Sequence, residues 1–218
     1  KTTFPEFLAG HPFIATYLAG LGFMGALIGS LSRPLGGWLS DRVGGARVTL
    51  ASFAGMAAAT ATAIVGVQHR TFAGFFASYM VLFLLSGIGN GSTYKMIPTI
   101  FATLGRREAE ARGQDPAEAA VEYKRRAAAV IGITGAAGAF GGALVQVVLR
   151  QASLQVSALV GSAAPAEKAA VAAAHADWSV PALWVFLGSY VVFGAVTWFV
   201  YLRTVATSRV PSLAEAMV

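Results

Sequence analysis

The chain has 218 residues, 56% hydrophobic and 12% charged, with 16 Lys and Arg against 10 Asp and Glu and no cysteine. Soluble domains carry about 25% charged residues, so this chain has too few to coat a water-facing surface, and its mean hydropathy of +0.64 agrees. The lack of cysteine excludes disulfides, thiolate metal sites and cysteine nucleophiles. A net charge of +6 in so apolar a chain reads as basic residues held in cytoplasmic loops, not as a nucleic-acid surface.

Five apolar segments follow one another at 13–39, 48–67, 72–101, 127–149 and 180–201. Each meets the roughly 20 residues that a helix needs to cross a bilayer, and none alternates as a barrel strand does. The predicted fold class is all-α: a polytopic membrane protein, a bundle of five transmembrane helices. The sequence opens at Lys1 with no signal-peptide pattern ahead of the first span, which leads to the expectation of a piece of a longer protein.

The first segment holds the most informative stretch. Arg33 lies eight residues before Asp41, about 12 Å from the end of its helix at 1.5 Å per residue. Half the hydrocarbon core is about 15 Å, so Arg33 is too deep to snorkel comfortably. A cation there is costly and usually faces a cavity or a partner. A ligand for an anion, a structural ion pair and a snorkelling cation are all open to it, and the anion ligand is the favoured reading. A planar guanidinium suits a planar oxyanion, because parallel N–H donors match two oxygens. The segment closes on Gly37-x-x-x-Asp41-Arg42-x-Gly44-x-x-Arg47. Here Gly37 permits close helix approach, Asp41 is expected to cap the next helix electrostatically, and Arg42 and Arg47 suit the headgroup zone.

The third segment carries Gly87-Ile-Gly89-Asn90-Gly91-Ser92-Thr93-Tyr94-Lys95-Met96-Ile97-Pro98. No strand precedes it, so its Gly-x-Gly is not a dinucleotide fingerprint. Asn90, Ser92 and Thr93 supply neutral donors and Tyr94 a ring that can wall a site; helix packing explains the small residues equally well. Lys95 reads as a snorkelling or gate cation. The loop 105–126 contains Asp115-Pro116-Ala117-Glu118, an N-cap carboxylate followed by proline and glutamate. It predicts a helix running through Tyr123 into the fourth segment. That segment carries Gly132-Ile-Thr-Gly135-Ala-Ala-Gly138-Ala-Phe-Gly141-Gly142, a stripe along which helices can touch and slide. The alanine-rich loop 151–179 predicts a helix near 164–175.

Ten basic residues fall on one side of this topology (Arg42, Arg47, six between 106 and 126, Arg203 and Arg209) and four on the other, with Arg33 and Lys95 inside spans. The richer side is expected to be cytoplasmic, which puts Lys1 outside and Val218 inside. His11, His69 and His175 lack metal-ligand spacing, and every acidic residue lies outside the apolar cores. No metal site, no cofactor, no buried proton relay and no catalytic constellation is expected, which disfavours a membrane enzyme.

The pattern of residues 37–47 resembles the loop between the second and third helices of each half of major facilitator superfamily transporters. The chain as a whole resembles the nitrate/nitrite porters of that superfamily. Lys1-Thr-Thr-Phe-Pro-Glu-Phe7 is similar to the end of their seventh helix, Arg33 to the arginine of the eighth, Gly91-Ser-Thr-Tyr94-Lys-Met-Ile97 to the tenth, and 127–142 to the glycine-rich signature of the eleventh. The resemblance implies helices eight to twelve of a twelve-helix, two-half porter in the inner (cytoplasmic) membrane. Its N-terminal half, with a second substrate arginine and another nitrate signature, would be a missing partner alongside the lipid bilayer. It implies alternating-access transport of nitrate or nitrite, with Arg33 as half of a clamp and Asn90, Ser92, Tyr94, Gly135 and Gly138 lining the site. Gly37, Asp41, Arg42, Gly44, Arg47, Gly141 and Gly142 would serve gating and packing. The family often has Phe where this chain has Tyr94, which adds a hydroxyl. Another organic-anion porter, or an inactive truncated product, are the alternatives.

Overall fold

Seven α-helices make up the computed structural model, which describes residues 3–203. They are α1 (Pro5–Gly10), α2 (Pro12–Val43), α3 (Gly45–Gln68), α4 (Phe72–Arg112), α5 (Pro116–Ser162), α6 (Lys168–Ala174) and α7 (Val180–Thr197), with a π-helical turn Trp198–Arg203 continuing α7. No strand occurs among the described residues. Lys1, Arg209 and Val218, which enter the sidedness expectation, lie outside them.

Among the described residues four helices are long and apolar enough to cross a bilayer: α3, α4, α5 and α7 with its π turn. The first predicted span, 13–39, coincides with α2 but is not among these four. Tyr17 leaves helical geometry there (φ −96°, ψ 15°), and Pro34 sits in the helix interior. The structure is thus a helical multi-pass membrane protein.

Helix α4 is the hub, packed on α2, α3 and α5, while α3 carries α7. The link between α2 and α3 is the single residue Gly44, whose φ of 94° favours glycine. Its N–H bonds the Ser40 carbonyl at 3.0 Å and closes α2.

Within the predicted loop 105–126 the expected helix through Tyr123 is present as the start of α5, and α4 also extends into the segment, beyond the expectation. Helix α4 runs to Arg112 and α5 starts at Pro116, leaving a three-residue turn. Salt bridges one helical turn apart, Glu108–Arg112 at 2.9 Å and Glu122–Arg126, support both ends in water. The Tyr123 hydroxyl donates to Glu108, and its ring packs where a Cβ on Gly105 would come within 2.9 Å. The Asp115 cap forms as expected, accepting from the Ala117 N–H at 2.9 Å. At 41 and 47 residues, α4 and α5 extend about 60 and 70 Å, twice the hydrocarbon thickness. At the opposite end α5 continues to Ser162, so the predicted helix at 164–175 shrinks to α6. There Arg70 pairs with Asp177 at 3.1 Å and donates to the Ala173 carbonyl, tying the α3–α4 turn to the α6–α7 connection.

Candidate functional site

Helices α2 and α4 run parallel and cross at backbone contact. A Cβ on Gly36 would overlap the Ile88 carbonyl, one on Gly91 the Arg33 carbonyl, and one on Gly87 the Gly29 carbonyl and the Ser32 hydroxyl. Ser32 shares its hydroxyl between the carbonyls of Gly29 (3.0 Å) and, across the crossing, Leu84 (3.1 Å). Small residues four apart allow such closeness between membrane helices. The spacings Gly25-x-x-x-Gly29, Ser32-x-x-x-Gly36 and Gly87-x-x-x-Gly91 carry that signal in the sequence, and Ser32, Gly36 and Gly87 were not among the expected site residues.

This seam divides α4 into two flanks. Ser92 faces α3: it is fully buried, donates to the Gly45 carbonyl at 2.9 Å and meets the Thr49 hydroxyl at 3.3 Å. A helix turns about 100° per residue, so Asn90 and Tyr94 project from the other flank. Because α2 is parallel, Arg33, one residue past the seam position Ser32, projects to that same side. Arg33 is exposed there and Asn90 and Tyr94 are half-buried. Among the described residues Arg33 has no carboxylate partner. The Tyr94 hydroxyl reaches toward α5, 3.4 Å from where a Gly135 Cβ would stand. Helix geometry therefore turns Arg33, Asn90 and Tyr94 to the flank of the crossing opposite Ser92, with the Tyr94 hydroxyl beside Gly135 on α5.

Farther along the stripe on α5, Gly138, Gly141 and Gly142 have nothing within 4 Å of a built Cβ. None of the residues in the most apolar 18-residue stretch of α5 is buried. That face of α5 is open to lipid or to further protein.

The polar motif at the end of α2 meets α4. Asp41 makes no hydrogen bond to the start of α3, whose N-cap is Gly44; its carboxylate pairs with Lys95 on α4 at 2.6 Å. Both side chains are about half exposed, so the pair adds no more than about 1 kcal/mol. It gives Lys95 a partner across the two helices. Gly37 lies beside the Lys95 stem, 3.8 Å from a built Cβ. Arg42 stacks on Trp38 at 4.1 Å, and Arg47 is exposed.

A cavity of about 530 Å³ lies elsewhere, lined by Phe4, Phe72, Phe75, Tyr79, Phe186 and Tyr190 among others. Its aromatic wall offers an anion no charge, and none of the expected site residues borders it.

No family model matches the chain. It is 33% identical to the nitrate/nitrite transporter NarU of Escherichia coli over 206 residues, 93% of this chain and 38% of that protein. The nitrate/nitrite transporter NarU of Salmonella typhimurium is 34% identical over the same coverage. The probable nitrate/nitrite antiporter NarK2 of Thermus thermophilus is 38% identical over 82 residues, 36% of this chain and 18% of that protein. The chain thus spans 38% of the length of these two NarU relatives.

Proposed function

Since the chain belongs to the nitrate/nitrite porter family, we propose that it takes part in carrying nitrate and nitrite across the cytoplasmic membrane, with Arg33 as the cation that meets the oxyanion. The observation that carries this reading is the placement of Arg33. It stands in the interior of α2, exposed on the face it shares with Asn90 and Tyr94, without a carboxylate partner among the described residues. An unpaired cation at that depth is costly unless it meets water or an anion. The guanidinium fork matches two oxygens of a planar anion, and the Asn90 amide and Tyr94 hydroxyl add neutral donors at the rim.

In this reading α2 is a fifth span beside the other four, and the C-terminus is cytoplasmic. The open face of Arg33 and α5 is closed by a second half of the same porter, which brings another cation. Substrate then lies between the halves near the midplane and is exposed to each side in turn as they rock. The glycine stripe gives α5 a smooth surface for that motion.

The test is Arg33→Lys in the product of the complete gene, with nitrate binding measured by calorimetry. Truncating one partner of a buried charged contact costs roughly 2–5 kcal/mol, so affinity falls about 30-fold or more although the charge is kept. Parental affinity in Arg33→Lys removes Arg33 from the site.

A further inference from the structure

Arg33 sits at a weak point of its own helix. Pro34 follows it, lacks an N–H and crowds the carbonyl four residues earlier, at Ser30. The turn around Arg33 therefore loses a backbone bond just where a charged side chain must be aimed. Tyr94 is in the same situation, because Pro98 lies four residues after it within α4 and leaves the Tyr94 carbonyl without its usual donor. Neither helix alone fixes the distance between these two groups.

The crossing supplies what the helices lack. On the N-terminal side of Pro34, the Ser32 hydroxyl reaches the Leu84 carbonyl at 3.1 Å, and the Arg33 carbonyl rests on Gly91 with no room for a Cβ. On its C-terminal side, Gly36 rests on the Ile88 carbonyl with equally little room. Ser32 is 5% exposed, so its hydrogen bond is shielded from water. Helix α2 is thus pinned to α4 on both sides of the proline, and Gly91 touches the backbone of Arg33 itself.

We infer that Gly91 and Ser32 are positioning residues for Arg33: they set its register against Asn90 and Tyr94 and thereby the affinity for the oxyanion. This inference rests on the reading of Arg33 as the oxyanion ligand. A methyl group at position 91 displaces the Arg33 backbone by on the order of 1 Å, and misplacement of that size is costly where groups must be aligned. Removing the Ser32 hydroxyl adds no atoms and only loosens the clamp.

The experiment measures nitrate uptake into proteoliposomes by the product of the complete gene. The variants are Gly91→Ala, Ser32→Ala, Arg33→Lys and each of the first two combined with Arg33→Lys. Expected are a rise in KM of about 10-fold for Gly91→Ala and about 3-fold for Ser32→Ala, with smaller changes in maximal rate. Both penalties disappear in the Arg33→Lys background, since coupled groups are not additive. A merely structural role lowers the amount of active protein and so the maximal rate, leaving KM alone. Unchanged KM in both single variants while Arg33→Lys is impaired overturns the positioning role, as do penalties that add fully to that of Arg33→Lys. Parental behaviour of Arg33→Lys instead overturns the ligand reading beneath it. Should Gly91→Ala fail to fold, Ser32→Ala carries the same test.

Discussion

Ser92→Ala separates packing from substrate contact at one atom. The sequence groups Ser92 with Asn90 and Tyr94, but its hydroxyl is fully buried against α3, bonded to the Gly45 carbonyl at 2.9 Å and to Thr49 at 3.3 Å. Losing one buried hydrogen bond costs about 0.5–1.5 kcal/mol, and the average between membrane helices is near the low end, about 0.6 kcal/mol. The substitution leaves two polar atoms, the Gly45 carbonyl and the Thr49 hydroxyl, without this partner, which puts the total at about 1–2 kcal/mol. That lowers Tm, by less per kcal/mol the larger the cooperative unit. The assay pairs thermal unfolding in detergent with the KM of nitrate uptake by the product of the complete gene. The expected outcome is a lower Tm with an unchanged KM. An unchanged Tm with a KM raised several-fold places the hydroxyl at the substrate and refutes the division of α4 into two flanks.

Two further outcomes follow from the same structure. In a chain without cysteine, an impermeant thiol reagent applied outside cells labels Ala166→Cys, between α5 and α6, but reaches Gln114→Cys, between α4 and α5, only after permeabilisation; the reverse pattern inverts the ten-to-four basic asymmetry. Gly138→Leu meets nothing within 4 Å of its Cβ, so the protein stays folded and inserted while transport stops; normal turnover means that this part of the stripe faces lipid.

Local signals were legible in the sequence. The Asp115-Pro116 start of α5 uses a side-chain cap and a pre-set φ, both decided within a few residues. The turn at Gly44 was legible for the same reason, since a positive φ selects glycine. Of the segment 105–126, the helix expected from Asp115 through Tyr123 formed as the start of α5, and only the stretch up to Arg112 departs from the expected loop. In water, Glu and Arg four residues apart favour helix, so the helices ran on beyond the apolar segments. What the sequence hid was tertiary. Asp41 and Lys95 are 54 positions apart, and their pairing depends on the parallel α2–α4 crossing. Asn90, Ser92 and Tyr94 lie within five residues of one another, yet only the placement of α3 decides which flank each one occupies.

Counterflow in liposomes shows whether Arg33 holds a transported oxyanion. Vesicles containing the product of the complete gene are loaded with nitrite, and entry of labelled nitrate is followed against Arg33→Gln reconstituted in equal amount. The parent is expected to show saturable uptake and the variant, at the same nitrate concentration, a loss of about 30-fold or more, as when a buried charged contact is removed. Saturable uptake by Arg33→Gln with the parental KM would contradict that role for Arg33.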